Sequence, residues 1–428
     1  MRVAFFTLGC KVNQYETQAM ERELLRRGHT LVPFDGEADA YVVNTCSVTA
    51  VSDKKSRQTL RRARAQSPDA IVAACGCYSQ THTEEAEKLP LDLIAGSGDR
   101  EKFLDLLEQV FRERKRVCAV DDPRTRRTLE RLPAGSLTGR TRAILKIEDG
   151  CVNFCTYCII PYARGGIRSL PVGEGVRTLR ELWEEGYRET VLTGIEIAGY
   201  GRDLPGKPTL TDFLCAATDA VPEMRLRLGS LEPRVVTEDF CRRLAGREGL
   251  CPHFHLSLQS GADATLRRMN RRYDTARYAE SVALLRAYFP GVAVTTDLIT
   301  GFPGETEEEF EETLAFIRRI GFADMHVFPY SARPGTVAAG LPGQVKRALR
   351  EERAARASAV AGEMRLRFLQ AQLGAVFSVL FERERDGLFY GHAPNYTEVA
   401  VSGDGLHNQC RPVRLTGTDG SITKGELL

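Results

Sequence analysis

The residues best suited to chemistry are cysteines, and two groups of three stand out. Cys151, Cys155 and Cys158 fall close together in GCVNFCTYCIIPYARG, with no further Cys or His nearby. Thiolates at this spacing wrap one side of a metal centre and supply three ligands. Structural zinc normally closes with four protein ligands, whereas a four-iron cluster on three thiolates keeps one iron open to a small molecule. Spacing leaves both readings open. Cys10, Cys46 and Cys77 are far apart in the chain, yet each ends an apolar run with strand character: FFTLGC, YVVNTC and AACGC. In a parallel sheet such ends meet at one edge, where ligands bind. A helix beginning just after each would favour a thiolate or an anionic cluster. Cys75 is the competitor for Cys77, since the two would share a face of a continuing strand. The GCYSQ turn leaves the strand first, so Cys77 is the expected ligand. Cys118, Cys215, Cys241, Cys251 and Cys410 have no such spacing and read as structural.

The elements that must position these residues follow from periodicity. Residues 1–115 alternate short β-rich runs with helical patterns (13–27 and 49–65), the pattern of a doubly wound parallel sheet. Residues 116–141 form a linker within a wider basic stretch, 112–146, which carries 11 Lys/Arg against four acids. Residues 142–368 hold six further βα units, with strands at ILKIE, TVLTG, RLRLGS, FHLSLQ, VAVTTDLIT and MHVFPY. This series fits a partial (β/α)6 barrel whose active face is the C-terminal ends of its strands. Residues 346–372 read as a charged helix. From 369 to 428 short strands separated by Gly, Asp and Asn suit a small β-barrel.

Composition sets the outer limits. The chain has 428 residues, a net charge of +2 and 12 cysteines. That length implies two or three domains, and the charge excludes binding of polyanions by bulk charge while allowing a local basic surface. No apolar stretch reaches the roughly 18 residues needed to span a bilayer, and the N-terminus is a poor signal peptide. These features predict a cytoplasmic protein with no membrane partner, whose cysteines are reduced and free to bind metal.

The motifs resemble a known family. Cys151, Cys155 and Cys158 match the cluster motif of radical S-adenosylmethionine enzymes. TLGCKVNQYET, VNTCSVT and GCYSQ are similar to the N-terminal cluster domain of the methylthiotransferases, and GHAPNYTEV with RPVRLTG resembles their RNA-binding TRAM barrel. The resemblance covers essentially the whole chain. It is greatest to the branch acting on N6-threonylcarbamoyladenosine beside the tRNA anticodon; relatives act on isopentenyladenosine or on an aspartate of a ribosomal protein. Two departures bear on specificity: Leu170 stands where a further Arg is expected, and Glu196 where relatives usually carry His or Asn.

The resemblance implies two [4Fe-4S] clusters, S-adenosylmethionine, a tRNA substrate and an electron donor of flavodoxin or ferredoxin type; the sulfur source is not legible. The aromatic C–H at adenine C2 is beyond acid–base side chains, so cofactors must carry the reaction. On this frame TGIE, SLEP, LSLQSG and TDLITGFPGE fall at strand ends. Gly194, Glu232, Gln259, Asp297 and Gly301 are the expected S-adenosylmethionine contacts. His253 and His255 read as core or hydrogen-bonded residues. RNA is expected on residues 112–146, on LRRMNRRY (266–273), and on Phe389, Tyr390, His392, Tyr396, Arg411 and Arg414 of the C-terminal barrel. The rival from another class is an RNA-binding regulator with structural zinc.

Overall fold

Residues 40–45 and 71–76 are continuous apolar runs, and both are buried on both faces in the computed structural model, which describes residues 1–135 and 141–428. Tyr41, Val43, Val72 and Ala74 pack on one side of the sheet; Ala40, Val42, Ile71, Ala73 and Cys75 pack on the other. Strands covered on both faces are those of a parallel sheet between helix layers. Six parallel strands form it, in the order Thr30–Leu31, Arg2–Thr7, Ala40–Thr45, Ile71–Gly76, Leu93–Ala95 and Val117–Ala119. The order reverses between Arg2–Thr7 and Ala40–Thr45, which opens a crevice at their C-terminal ends. Cys10 caps the helix Lys11–Arg26 beside this crevice, and Cys46 follows the second strand.

The sixth strand, Val117–Ala119, extends the sheet past the boundary expected at 115. Three residues are too short for periodicity to reveal, and the surrounding cations hide them. The following stretch is not a free arm. Tyr15 donates its hydroxyl to the Leu132 carbonyl at 2.8 Å, and Leu129, Leu132 and Ala134 pack on the central core. Among the expected basic-segment residues, Arg140 lies outside the described residues.

The central unit carries six parallel barrel positions in sequence order, in two sheets. One contains Arg142–Lys146, Glu189–Thr193 and Arg225–Leu228. The other contains Ser230–Leu231, His253–Leu256, Ala293–Thr300 and Asp324–Pro329. Gly229 marks the break between them, and a bridge from Leu226 to Leu250 carries the curvature across. Capping boxes, Thr209 with Asp212 and Thr306 with Glu309, start two of the outer helices. The helix Arg347–Gln370 then leads to a closed barrel of Val376–Arg385, Leu388–His392, Glu398–Val401, Thr423–Leu427 and Cys410–Thr418 around Val379, Phe381, Val399 and Val413. The strand Thr423–Leu427 is an addition to the sequence expectation. It alternates Thr, Lys, Gly and Glu, so its apolar signal is weak.

The two barrels are clamped together. Arg227 ion-pairs with Glu189 at 2.6 Å and donates to the Pro394 and Ala393 carbonyls at 2.9 and 3.3 Å. Arg142 bonds Glu382 at 2.9 Å, and Arg225 donates to Ser378 and His392. At the centre Tyr396, held in left-handed backbone geometry at φ 71°, lies between the rings of His253 and His392, with centroids 4.8 and 4.7 Å away. The guanidinium of Arg227 lies 4.7 Å from its centroid. His392 and Tyr396 therefore act in the seam between barrels and not as free stacking groups for RNA. Tyr396→Ala is expected to lower global stability by about 1–2 kcal/mol and to expose the 371–375 connection to limited proteolysis. An unchanged melting curve and cleavage pattern would remove Tyr396 from this role.

Candidate active site

Convergence of the N-terminal cysteines is a product of the crevice. The chain around Gly9 lies so close to Cys46 that a side chain at Gly9 would meet the Cys46 Sγ at 2.6 Å. Cys10, Cys46 and Cys77 are mutual electrostatic neighbours. Cys75 is fully buried among Val3, Met20, Leu24 and Ala73 on one sheet face, whereas Cys77 opens the short helix Cys77–Thr81 beyond the strand end. The structure thus brings Cys77, and not Cys75, to Cys10 and Cys46.

Cys151, Cys155 and Cys158 form an irregular loop after the first barrel strand, closed by a bond from the Cys158 N–H to the Cys155 carbonyl at 2.9 Å. All three are partly exposed. Burial pushes the Cys151 thiol well up and the Cys158 thiol up to about 12, so a thiolate there needs compensating positive charge. Among the described residues no three His, Cys, Asp or Glu side chains lie close enough together to hold a single metal ion. An iron–sulfur cluster takes each thiolate on a different iron and makes no such demand.

The cluster reading also fits the donors supplied around the thiols. Arg271 donates to the Cys155 Sγ at 3.2 Å, and the Asn153 N–H to the Cys151 Sγ at 3.5 Å. Arg164 lies against Cys77, and Arg333 within electrostatic reach of Cys158. Each of these three arginines keeps a buried N–H without a partner: Arg271 Nη2, Arg164 Nε, and Arg333 Nε and Nη1. Unspent donors in a buried site suit an anionic group, because leaving them unmet is costly. Arg268 and Arg271 of the 266–273 run are thereby engaged in the protein, Arg268 with Glu309. Only Arg267 and Arg272 of that run's arginines are exposed. In the 112–146 segment Arg124, Arg126, Arg131, Arg142 and Lys146 are likewise ion-paired.

A buried charge cluster joins the two cysteine sites. Glu16, on the helix that follows Cys10, is fully buried and accepts from Arg164 at 2.5 Å, Arg100 at 2.7 Å and Lys146 at 3.0 Å. Arg164 also donates to the Asn13 Oδ1 at 2.7 Å. Asp149 completes the group, 3.2 Å from Lys146 and 3.3 Å from Arg168. Burial pushes the Glu16 carboxyl up, but Arg100, Arg164 and Lys146 outweigh it and hold it well below the usual range. Across the crevice Arg333 bonds Asp53 at 2.9 Å and Ser47 at 2.8 Å, a second buried link between domains next to Cys46. Of these residues only Lys146 was singled out from the sequence, in the stretch expected to contact RNA, and it is instead buried against Glu16. A lone Glu on a helix carries no sign that it will be buried.

Of the expected S-adenosylmethionine contacts, Gly194 and Asp297 line one cavity of ≈ 710 Å3, together with Cys10, Lys11, His255 and His326. Glu232 lines a narrow cleft with Cys151, Asn153 and Glu196, and bonds Arg234 at 2.8 Å. In that cleft burial pushes the Glu196 carboxyl up to about 7. Gln259 and Gly301 line neither space. Gln259 bridges strands through its backbone, donating to the Asp297 carbonyl at 2.9 Å and accepting from Ile299 N at 2.9 Å. Gly301 is a turn at φ 69° where a side chain would meet the Arg350 Cγ at 2.2 Å, so the helix Arg347–Gln370 uses its smallness. Phe389 is core, Tyr390 packs under Arg383, and Arg411 and Arg414 are exposed along Cys410–Thr418.

The fold and cysteine placement define a radical S-adenosylmethionine protein with a second cysteine site in an added parallel-sheet domain. Residues 145–317 match the Radical SAM superfamily, and residues 2–96 match an uncharacterized protein family, UPF0004. The chain is 40% identical over 94% of its length to the threonylcarbamoyladenosine tRNA methylthiotransferase MtaB of Bacillus subtilis (strain 168), covering 90% of that protein. It is 32% identical over 96% of its length to the tRNA-2-methylthio-N(6)-dimethylallyladenosine synthase of Pelotomaculum thermopropionicum (strain DSM 13744 / JCM 10971 / SI), covering 94% of it. The solved structure of the radical S-adenosylmethionine methyltransferase TsrM from Kitasatospora setae shares the fold, with a TM-score of 0.56 and 17% identity over 76% of this chain and 73% of that one. The chain belongs to the radical S-adenosylmethionine tRNA methylthiotransferase family.

The charge cluster gives a direct test. Glu16→Ala leaves Arg100, Arg164 and Lys146 buried without their shared counter-ion and is expected to cost about 3–5 kcal/mol in chemical denaturation. A loss below about 1 kcal/mol would show that the cluster is not structural. Because the Glu16 pKa is depressed on folding, its contribution is full above the unfolded carboxylate value of about 4.3 and falls away at lower pH. The stability gap between wild type and Glu16→Ala should therefore hold from pH 5 to 8 and shrink below about pH 4.

Proposed function

We infer that this chain inserts sulfur and a methyl group at adenine C2 of N6-threonylcarbamoyladenosine beside the tRNA anticodon. The observation that carries this reading is the 40% identity to the Bacillus subtilis enzyme across 94% of the chain. The site supports it, because Cys10 and the barrel-mouth residues Gly194 and Asp297 line one cavity. When bound, the cluster on Cys151, Cys155 and Cys158 supplies the electron that cleaves S-adenosylmethionine, and the cluster on Cys10, Cys46 and Cys77 supplies the sulfur. The chain's own residues place these events together. Arg271 neutralises charge at Cys155, Arg164 does so at Cys77, and the Glu16 and Asp53 bridges fix the distance between domains. The Glu232–Glu196 cleft beside Cys151 is suited to the polar end of S-adenosylmethionine, with Arg234 bonding Glu232 and holding its side chain in place. An electron donor of flavodoxin or ferredoxin type is the partner this chemistry needs.

Four measurements test the reading. Anaerobically purified protein should carry about eight irons per chain; zinc without visible absorbance would sink it. Cys77→Ala should lose about half of that iron and Cys75→Ala none, and the reverse would transfer the ligand role to Cys75. Nucleoside mass analysis of tRNA from a strain lacking the gene should show threonylcarbamoyladenosine without its methylthio group; unchanged nucleosides would overturn the tRNA assignment. For binding, the log–log salt slope of tRNA affinity should fall by about one for each of Arg411→Ala and Arg414→Ala. An affinity insensitive to salt would take the RNA surface off this strand.

A further inference from the structure

The cavity that holds Cys10 has an uneven supply of charge. Its walls carry His255, Asp297, Asp324, Arg365 and Glu398, and each of these is matched inside the protein. His255 bonds Thr295 at 3.0 Å and Asp297 at 3.2 Å; Arg365 bonds Asp324 at 3.2 Å; Glu398 accepts from Arg383 at 2.7 Å. His253 shares the Thr295 hydroxyl, and burial with the nearby Arg227 keeps it neutral. Lys11 is different. It lines the same cavity directly after Cys10, is exposed to it, and has no hydrogen-bond or ion-pair partner among the described residues. His326, across the cavity, also presents an exposed ring with no hydrogen bond among the described residues.

We propose that Lys11 is the residue that selects the nucleoside, its ammonium pairing with the carboxylate of the threonylcarbamoyl group. The inference rests on the substrate reading given above and extends it to a specific contact. On adenine, N6 and C2 flank N1 on one edge of the ring, so the group on N6 lies beside the carbon that receives sulfur. A cation one residue from Cys10 is therefore on the side where that group must sit. The two kinds of relative differ in this very group, one named for a threonylcarbamoyl substituent and the other for a dimethylallyl one. A dimethylallyl tail is a neutral hydrocarbon and would bury Lys11 and His326 against apolar surface with nothing to bond, which is costly. A carboxylate meets the lysine with a charge-assisted bond. The acidic groups nearby do not repel it strongly, because Asp297 and Asp324 already face His255 and Arg365.

The test uses the cluster-loaded enzyme under anaerobic conditions and two anticodon stem–loops, one with threonylcarbamoyladenosine and one with its carboxyl methyl ester. Wild type should show a KM about 10- to 100-fold lower for the acid, the range of one charge-assisted hydrogen bond. Lys11→Met should raise the KM of the acid to that of the ester without altering the ester's own, and Lys11→Arg should restore the preference. Iron content is measured on each variant. If Lys11→Met fails to hold iron, the wild-type preference and its retention in Lys11→Arg decide. Equal KM values in wild type, or an acid preference that survives Lys11→Met, would overturn the proposal. Wild-type enzyme that modifies a dimethylallyladenosine stem–loop but neither of these would overturn the substrate reading itself, and the Lys11 assignment with it.

Discussion

Everything in the site hangs on one buried carboxylate shared among cations from two domains. Glu16 and Arg100 come from the parallel-sheet domain, Lys146 and Arg164 from the barrel, and none of the four has more than 2% of its surface exposed. Burying charge is costly, and such a group persists only when every member is paired. Glu16 finds Arg100 within its own domain, but its bonds to Lys146 and Arg164 are made only across the domain junction. The same helix that carries Glu16 begins at Cys10, and Arg164 lies six positions after Cys158, so the ion cluster ties the two cysteine sites through short, stiff segments. Counting Arg168 with the cations and Asp149 and Glu130 with Glu16, the group has four cations against three acids. This excess of positive charge beside Cys77 is what an anionic cluster on thiolates requires.

The barrel end of the cavity follows from a different constraint. The six barrel positions fall in two sheets that do not close on each other among the described residues, and the interior of the open barrel has to be lined or filled. Here polar groups at alternate positions of His253–Leu256 and Ala293–Thr300 line the interior and bond each other, while the C-terminal barrel covers the N-terminal ends of the strands through Tyr396. The result is a cavity reached by all three parts of the chain, with the cysteine-bearing crevice at one side and the seam of the two barrels at the other.

Much of this was legible in the sequence, for identifiable reasons. Buried parallel strands are unbroken apolar runs, so YVVNT and IVAAC announced themselves, and cysteines at the ends of such runs had to meet at one edge. The GCYSQ turn separates Cys77 from Cys75 in space because a single glycine ends the strand. The rest depended on tertiary partners. Arg271 sits in a run of arginines that periodicity cannot distinguish, yet it alone reaches a cluster cysteine. Tyr396 and His392 looked like RNA-stacking groups because the sequence does not say which side of a small barrel faces another domain. Gly301 looked like room for a ligand and is room for Arg350, a residue 49 positions away. The 112–146 stretch carried a true excess of cations, but five of its 11 are ion-paired within the molecule, Lys146 fully buried.

The seam between the barrels has a mechanical consequence. Arg142 on one side of Glu189–Thr193 and Arg225 and Arg227 on the other reach the C-terminal barrel, and Tyr396 is stacked between two histidine rings, so the joint is held at several points. The exposed Arg411 and Arg414 therefore keep a set position relative to the central barrel, and a ligand bound to them would be presented to that barrel at a fixed offset.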